Sequence, residues 1–334
     1  MGIACAIASE KMKVSGDDII GAIADDYLQL IIFPTEACNF RCIYCYETAR
    51  GGTMAPGVVE SVNRFLRQRS STLSQLGISW FGGEPLLALN VIRKISRQAM
   101  ILAERRDNLV YFADMTTNGF LLKPSVFQEL IDLEVRRFQI SLDGVGQAHD
   151  VKRVLAGGGG TFTQIWNNLK SFKRIKDQFT VVVRIHLATD NCASLAELIN
   201  LYADTFATDK RFKLFIRPLS RLGCPRDSEL PVLDDEHSAP LLEQLVRQAK
   251  KLGIEPMTTA DLLPLCYATR LNSFAVRADG SLNKCTVKLD HPENQVGRVK
   301  ADGSLRLDRE KLFKWARGLK SGDKNELACP LMGI

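Results

Sequence analysis

No apolar run in the 334-residue chain approaches the roughly 20 residues that a bilayer-crossing helix needs. That shortage argues against a membrane protein. The first residues, MGIACAIASEKMK, carry no basic segment ahead of a short apolar stretch, which excludes a strong secretory signal. Ala6 stands where a myristoylation motif wants Ser or Thr. Lys and Arg give a net charge of +6 yet never gather into a basic block, so nucleic acid is not the expected partner. Only four histidines occur, His149, His186, His237 and His291, all far from the main cysteine cluster. Together these absences lead to the expectation of a cytosolic protein with no membrane role and with nucleic acid not its first partner.

What is present suits an ordinary globular protein, with 46% hydrophobic and 25% charged residues. There are nine cysteines. In a reducing compartment clustered cysteines read as metal ligands or reactive thiols rather than disulfides. Cys38, Cys42 and Cys45 fall in one short stretch, and Cys266, Cys285 and Cys329 come later. Cys5, Cys192 and Cys224 stand alone and read as small buried hydrophobes or surface thiols.

From Tyr27 onward, short β-branched or aromatic runs alternate with longer segments of 3.6-residue periodicity, the pattern of βα units around a mainly parallel sheet. Strands are expected at 27–33, 78–81, 109–115, 138–142, 179–187 and 212–217. Apolar stripes predict helices around Val91–Leu102, Phe162–Phe172, Leu195–Tyr202 and Leu242–Ala249. Pro124 marks a helix start, and Gly253 marks a helix stop. After Leu252 two apparent hairpins centre on Asp279-Gly280 and Asp302-Gly303, followed by one helix from Arg309 to about Lys320. The expected organisation is α/β: an N-terminal extension (1–26), a partial barrel of six βα units (27–255), and a small α+β module (256–334).

Parallel βα folds carry their chemistry on loops at the carboxyl ends of strands, and EACNFRCIYCYE follows the first strand. Three cysteines there could enter a zinc site completed by a fourth ligand. They could equally hold an iron–sulfur cluster with one iron left open. Three further segments sit at later strand ends: FGGEP at 81–85, TTNG at 116–119 and SLDG at 141–144. Glycines permit close backbone approach, and short hydroxyl, amide and carboxylate side chains can hold a ribose or an amino-acid group. Each segment alone is also ordinary turn chemistry. The four glycines at 157–160 lack the Lys and Ser/Thr of a P-loop and read as a mobile loop.

The C-x3-C-x-aromatic-C spacing, with Tyr44 as the aromatic, resembles the radical S-adenosylmethionine (SAM) superfamily. The resemblance implies that Cys38, Cys42 and Cys45 bind a [4Fe-4S] cluster whose fourth iron takes the amino and carboxylate groups of SAM. It implies SAM contacts from Tyr44, from Gly82, Gly83 and Glu84, from Asn118, and from Ser141 and Asp143. HDVKR resembles a stretch of peptide-modifying members in which an Arg helps hold the SAM carboxylate, a role carried to Arg153. The implied chemistry is reductive cleavage of SAM to a 5′-deoxyadenosyl radical that abstracts hydrogen from an unactivated C–H bond.

Cys266, Gly280 and Cys285 match the opening of the SPASM or twitch module, which holds one or two auxiliary iron–sulfur clusters. Cys329 is the third expected ligand, but its motif neighbours are missing, so the auxiliary set is incomplete in this chain: either the module is divergent or twitch-like, or the chain is shortened, and shortening is the favoured expectation. The resemblance is to maturases that cross-link ribosomally made precursor peptides, supplied with electrons by a flavodoxin or ferredoxin. About 26 residues precede the first strand, too few for a fused leader-binding domain, so any leader recognition is expected to fall to a separate leader-recognition protein or to the barrel surface. The alternative enzyme is an anaerobic sulfatase-maturing enzyme, and the non-enzymatic alternative is a zinc-bound structural module.

Overall fold

The computed structural model describes residues 14–47, 52–261 and 265–331. Cys5, the start of the chain and Met332 lie outside the described residues. Twelve strands occur among the described residues: β1 (Tyr27–Ile32), β2 (Phe40–Cys42), β3 (Gln75–Trp80), β4 (Val110–Thr117), β5 (Val135–Leu142), β6 (Arg153–Leu155), β7 (Thr180–Leu187), β8 (Phe212–Pro218), β9 (Ser273–Val276), β10 (Ser281–Asn283), β11 (Gln295–Val299) and β12 (Leu305–Leu307). All six expected strands form, as β1, β3, β4, β5, β7 and β8. Val, Ile and Leu dominate β1 and β7, which are largely buried as parallel strands covered on both faces require, whereas β4 alternates buried and less buried residues toward its end.

The chain divides into two compact units. The first comprises residues 1–37, 49–114 and 262–334. In it β1 pairs in parallel with β3 on one side and β9 on the other, so the C-terminal segment adds directly to the first strand. The strands β9, β10, β11 and β12 then continue antiparallel, through the two hairpins expected at Asp279-Gly280 and Asp302-Gly303. Gly280 and Gly303 have φ of +83° and +88°, a conformation that a side chain resists. A buried, bidentate ion pair joins Glu36, just before the cysteine cluster, to Arg277, just after β9, at 2.7 and 2.8 Å. The single C-terminal helix expected from the sequence is two, Arg309–Trp315 and Arg317–Ser321. The second begins where Gly318 packs against the 324–328 helix, so closely that an added Cβ would lie 2.9 Å from the Leu327 nitrogen.

The second unit comprises residues 38–48 and 115–261. Its strands β5, β7 and β8 are parallel, in register Ser141 to Arg184 to Phe215, with His186 beside Arg217. Helices Phe162–Phe172 and Cys192–Phe206 bury their apolar stripes, and stacked rings of Phe127, Phe172, Phe206 and Phe212 fill the core. Helix Asp235–Lys251 is capped by the Asp234 side chain and followed by Gly253 at φ +77°. A feature absent from the sequence reading is a separate two-stranded ribbon, in which β2 pairs antiparallel with β6. Its register sets Cys42 directly across from Arg153.

Candidate active site

The cysteine loop is built on that ribbon. Cys42 ends β2, and a tight turn follows in which the Cys45 backbone nitrogen donates to the Cys42 carbonyl at 3.1 Å. Ile43 donates to Lys152, and Ala156 donates to Asn39, so the loop is stitched to the segment carrying HDVKR. Cys38 Sγ accepts from the Phe40 nitrogen at 3.4 Å.

Tyr44 is the centre of the polar network. Its hydroxyl donates to Asp143 Oδ2 in a short hydrogen bond and accepts from Arg153 Nη1 at 2.7 Å. Asp143 Oδ1 pairs with His186 Nδ1 at 2.9 Å, and the Asp143 nitrogen donates to His149 Nδ1 at 3.2 Å. His149 Nε2 in turn faces the Thr161 hydroxyl at 3.1 Å, which donates to the Arg153 carbonyl. Asn191 donates to the carbonyls of both Asp143 and His186. The structure thus joins Tyr44, Asp143 and Arg153, from three separate motifs, into one buried set beside Cys42.

The electrostatics follow from burial. Burial works against ionising Asp143, but the His186, Arg153 and His149 rings and guanidinium facing it hold its carboxyl below the usual carboxylate range. Burial pushes both His149 and His186 down to about 4, so both rings are neutral at pH 7. Burial likewise raises the Cys42 thiol and pushes Cys45 up to about 12, with the neighbouring Glu47, Cys42 and Cys38 adding to the shift at Cys45.

Other expected site residues fall near this set or apart from it. Asn118 donates to the Asn39 side chain at 2.8 Å and accepts from Phe120, tying the TTNG turn to the cysteine loop. Ser141 accepts from Arg184 Nε at 3.1 Å. Gly82, Gly83 and Glu84 belong to the first unit. There an added Cβ on Gly82 would lie 2.4 Å from the Thr35 carbonyl oxygen, and one on Gly83 would lie 2.3 Å from that of Ala37. The two glycines therefore admit the backbone that leads into Cys38. Glu84 is fully buried, caps the turn at 85–88 and donates its backbone nitrogen to Ala37.

The later cysteines also lie in the first unit. Cys285 and Cys329 are buried and feel each other electrostatically, and Tyr267 is flanked by Cys266 and Cys285. The Cys266 nitrogen donates to the Leu327 carbonyl, which brings the C-terminal helix to this cluster. Lys284, absent from the sequence reading, is completely buried and donates to the Ser273 and Arg270 carbonyls. Burial lowers its ammonium to about 7.

The donor chemistry of the first loop fits an iron–sulfur cluster. None of its thiols is in a disulfide, and the raised thiols of Cys42 and Cys45 need a cationic metal to become thiolates near neutral pH. Arg153, whose buried Nε has no hydrogen-bond partner, adds positive charge beside Cys42. Among the described residues, no three Cys, His, Asp or Glu side chains converge into a set that could hold a metal ion.

His149, His186, Arg184 and Asn191 were not among the expected site residues. Strand alternation could have flagged Arg184 and His186, as ionisable residues two apart inside an otherwise apolar strand.

Parallel strands with polar groups gathered at their carboxyl ends define an α/β enzyme of the cofactor-binding kind. The chain belongs to the Radical SAM superfamily, whose family description matches residues 32–201. It is 30% identical over 306 residues to a GTP 3′,8-cyclase of Trichormus variabilis, covering 84% of this chain and 85% of that protein. The fold matches native anSMEcpe solved with bound AdoMet and the Cp18Cys peptide, at TM-score 0.66 and 21% identity, over 86% of this chain and 80% of that one. It also matches Streptococcus suis SuiB bound to the precursor peptide SuiA, at TM-score 0.60 and 14% identity, over 82% of this chain and 62% of that one. Family membership implies a [4Fe-4S] cluster and SAM. Among the described residues, no helix is long and apolar enough to cross a membrane.

Proposed function

We propose that the protein is a peptide-modifying radical SAM enzyme that abstracts hydrogen from a residue of a ribosomally made precursor peptide and forms a cross-link. The observation that carries this reading is the joining of Tyr44, Asp143 and Arg153 beside Cys42. The peptide solved with anSMEcpe and the precursor peptide solved with SuiB support the substrate class.

Cys38, Cys42 and Cys45 would hold the [4Fe-4S] cluster. With SAM bound, such a cluster would supply one electron for reductive cleavage of the sulfonium, the chemistry that makes hydrogen abstraction from the substrate available. The protein's own part is to hold the loop and exclude water. Tyr44 locks the cysteine turn to Asp143 and Arg153, Asn118 ties it to TTNG, and the neutral rings of His149 and His186 fix the Asp143 backbone and carboxylate. Ser141, Asp143, Asn118 and Arg153 offer polar groups to the amino-acid and ribose parts of SAM, with Gly82, Gly83 and Glu84 serving its amino group. Cys266, Cys285 and Cys329 would ligate an auxiliary cluster in a C-terminal module beginning near residue 256. A flavodoxin or ferredoxin would be the electron donor.

A second reading, a nucleotide substrate, is favoured by the Trichormus relative, which aligns over most of the chain. Anaerobic reconstitution with iron, sulfide and SAM, followed by mass spectrometry of candidate precursor peptides, a sulfatase peptide and GTP, separates the readings. Loss of two hydrogens from a precursor peptide supports the proposal. Formylglycine in the sulfatase peptide, or turnover of GTP alone, overturns it. A colourless zinc protein that makes no 5′-deoxyadenosine would remove the enzyme from consideration.

A further inference from the structure

The parallel register of β5, β7 and β8 places a line of polar residues on one face near the strands' carboxyl ends. Ser141 lies beside Arg184 and Phe215, and His186 lies beside Arg217. Residues two apart on a strand share a face, so Arg184 and His186 point the same way. Arg217 is buried, and its charge reaches His186, as does that of Arg184. Two guanidinium groups therefore both act on His186, at the strand ends where a parallel fold presents its substrate.

The carboxylate at this end of the face is already committed. Asp143 spends Oδ2 on Tyr44 and Oδ1 on His186. Arg184 donates only from Nε, to Ser141, and makes no other side-chain hydrogen bond among the described residues. The remaining edge of its guanidinium, Nη1 and Nη2, is the fork that grips carboxylates in pairs of parallel hydrogen bonds. Burial disfavours the charge of this arginine, and the nearby Asp143 carboxylate, already hydrogen-bonded to Tyr44 and His186, offsets that only in part, so a ligand carboxylate on the open fork would be favourable. SAM carries a single carboxylate, and Arg153 is the residue assigned to it above.

We propose that Arg184 is a substrate-binding residue that reads a carboxylate on the substrate, and that the substrate is an acidic peptide presenting an Asp or Glu side chain, or its C-terminus, to the β7 strand end. This rests on the peptide reading of the site and narrows it to acidic sequences. Arg217 adds positive potential to the same end of the sheet without being required to touch the ligand.

The test uses the full chain, reconstituted anaerobically with SAM, as wild type, Arg184→Gln and Arg184→Lys. Three synthetic octapeptide pools are offered: one containing Asp and Glu with blocked termini, one with Asn and Gln in their place and blocked termini, and one with Asn and Gln and a free C-terminal carboxylate. Retained peptides are counted by ultrafiltration and mass spectrometry, and SAM and GTP binding are measured by equilibrium dialysis. Wild type is expected to enrich one carboxylate-bearing pool about tenfold over the blocked neutral pool, as a charge-assisted pair permits. Which of the two pools it enriches identifies a side chain or the C-terminus as the source. Arg184→Gln is expected to abolish the enrichment and Arg184→Lys to retain part of it, with SAM binding unchanged within about twofold in both. Persistence of the enrichment in Arg184→Gln overturns the inference. So does a loss of SAM affinity that parallels the loss of peptide, since it would assign the fork to SAM or to folding. Equal retention of all pools by wild type overturns the inference and leaves the peptide reading standing, whereas GTP binding without retention of any peptide overturns both.

Discussion

Arg153 donates from Nη1 to the hydroxyl of Tyr44 at 2.7 Å, although the two residues are 109 positions apart. The bond exists because β6 pairs with β2 and sets Arg153 across from Cys42, two residues before Tyr44. A single hydroxyl thereby accepts a hydrogen bond from a guanidinium and donates one to the Asp143 carboxylate. The aromatic residue inside the cysteine motif is a structural lock as well as a ring.

Tyr44→Phe keeps the ring and removes the lock. Arg153 and Asp143 each lose a partner in a buried place, where an unsatisfied charged group costs about 3 kcal/mol. Urea denaturation should show a loss of that order. Formation of 5′-deoxyadenosine should fall by more than tenfold, because the turn carrying Cys42 and Cys45 loses its anchor. A variant with wild-type stability and activity would show that the hydroxyl is dispensable.

Acid should weaken the fold in a window set by the buried histidines. The folded rings of His149 and His186 resist protonation until about pH 4, whereas unfolded histidine takes up its proton near 6.5. Below pH 6.5 the unfolded chain therefore binds more protons than the folded one, and stability falls as pH drops toward 4. The contribution of each ring is full above 6.5 and amounts to about 3 kcal/mol. His149 Nδ1 accepts from the Asp143 nitrogen, a bond that its protonation would break. In His149→Asn the amide oxygen can accept the same bond without titrating. Denaturation curves across pH 4–7 should show a shallower loss in this variant, with His186 and, toward pH 4, carboxylates held low in the fold such as Asp209 and Asp279 contributing to the remaining slope.

The strands were legible because parallel strands buried on both faces are rich in Val, Ile and Leu, and the β1 and β7 runs stand out from their helical neighbours. The site motifs were legible because they are local in sequence and sit at strand ends. The β2–β6 ribbon was not, since three-residue strands show no periodicity and their pairing is decided by the loop between β5 and β7. His149 and His186 were read only as distant histidines, because nothing local shows that β5 and β7 lie side by side. Gly157–Gly160 also gains a definite role at one end: the Thr161 and Phe162 nitrogens donate to Asp150, and a Cβ on Gly160 would lie 2.3 Å from that carboxylate.

Cysteine substitutions should separate the two thiol groups. Cys42→Ala removes a ligand of the first loop and should abolish both 5′-deoxyadenosine formation and the iron bound there. Cys285→Ala lies in the other compact unit and should spare uncoupled SAM cleavage while lowering iron content and peptide product. Iron analysis and product chromatography on the same preparations provide the comparison. SAM cleavage by Cys42→Ala would remove the first loop from its assigned role.

Gly83→Ala tests whether the paired glycines serve the backbone before they serve any ligand. The new Cβ would lie 2.3 Å from the Ala37 oxygen and 2.8 Å from that of Glu36, and both obstacles are backbone, which cannot swing aside as a side chain can. Such overpacking costs about 3 kcal/mol. Because Ala37 immediately precedes Cys38, displacement of that backbone should also lower iron loading. Gly57→Ala is the matched control: it lies in the helix Pro56–Arg69, its Cβ would meet nothing within 4 Å, and it should be neutral or stabilise by about 0.5–1 kcal/mol. Chemical denaturation and the iron-to-protein ratio are measured on both variants. If Gly83→Ala kept wild-type stability and iron but lost SAM affinity, the glycine would be acting at the cofactor rather than at the chain leading into Cys38.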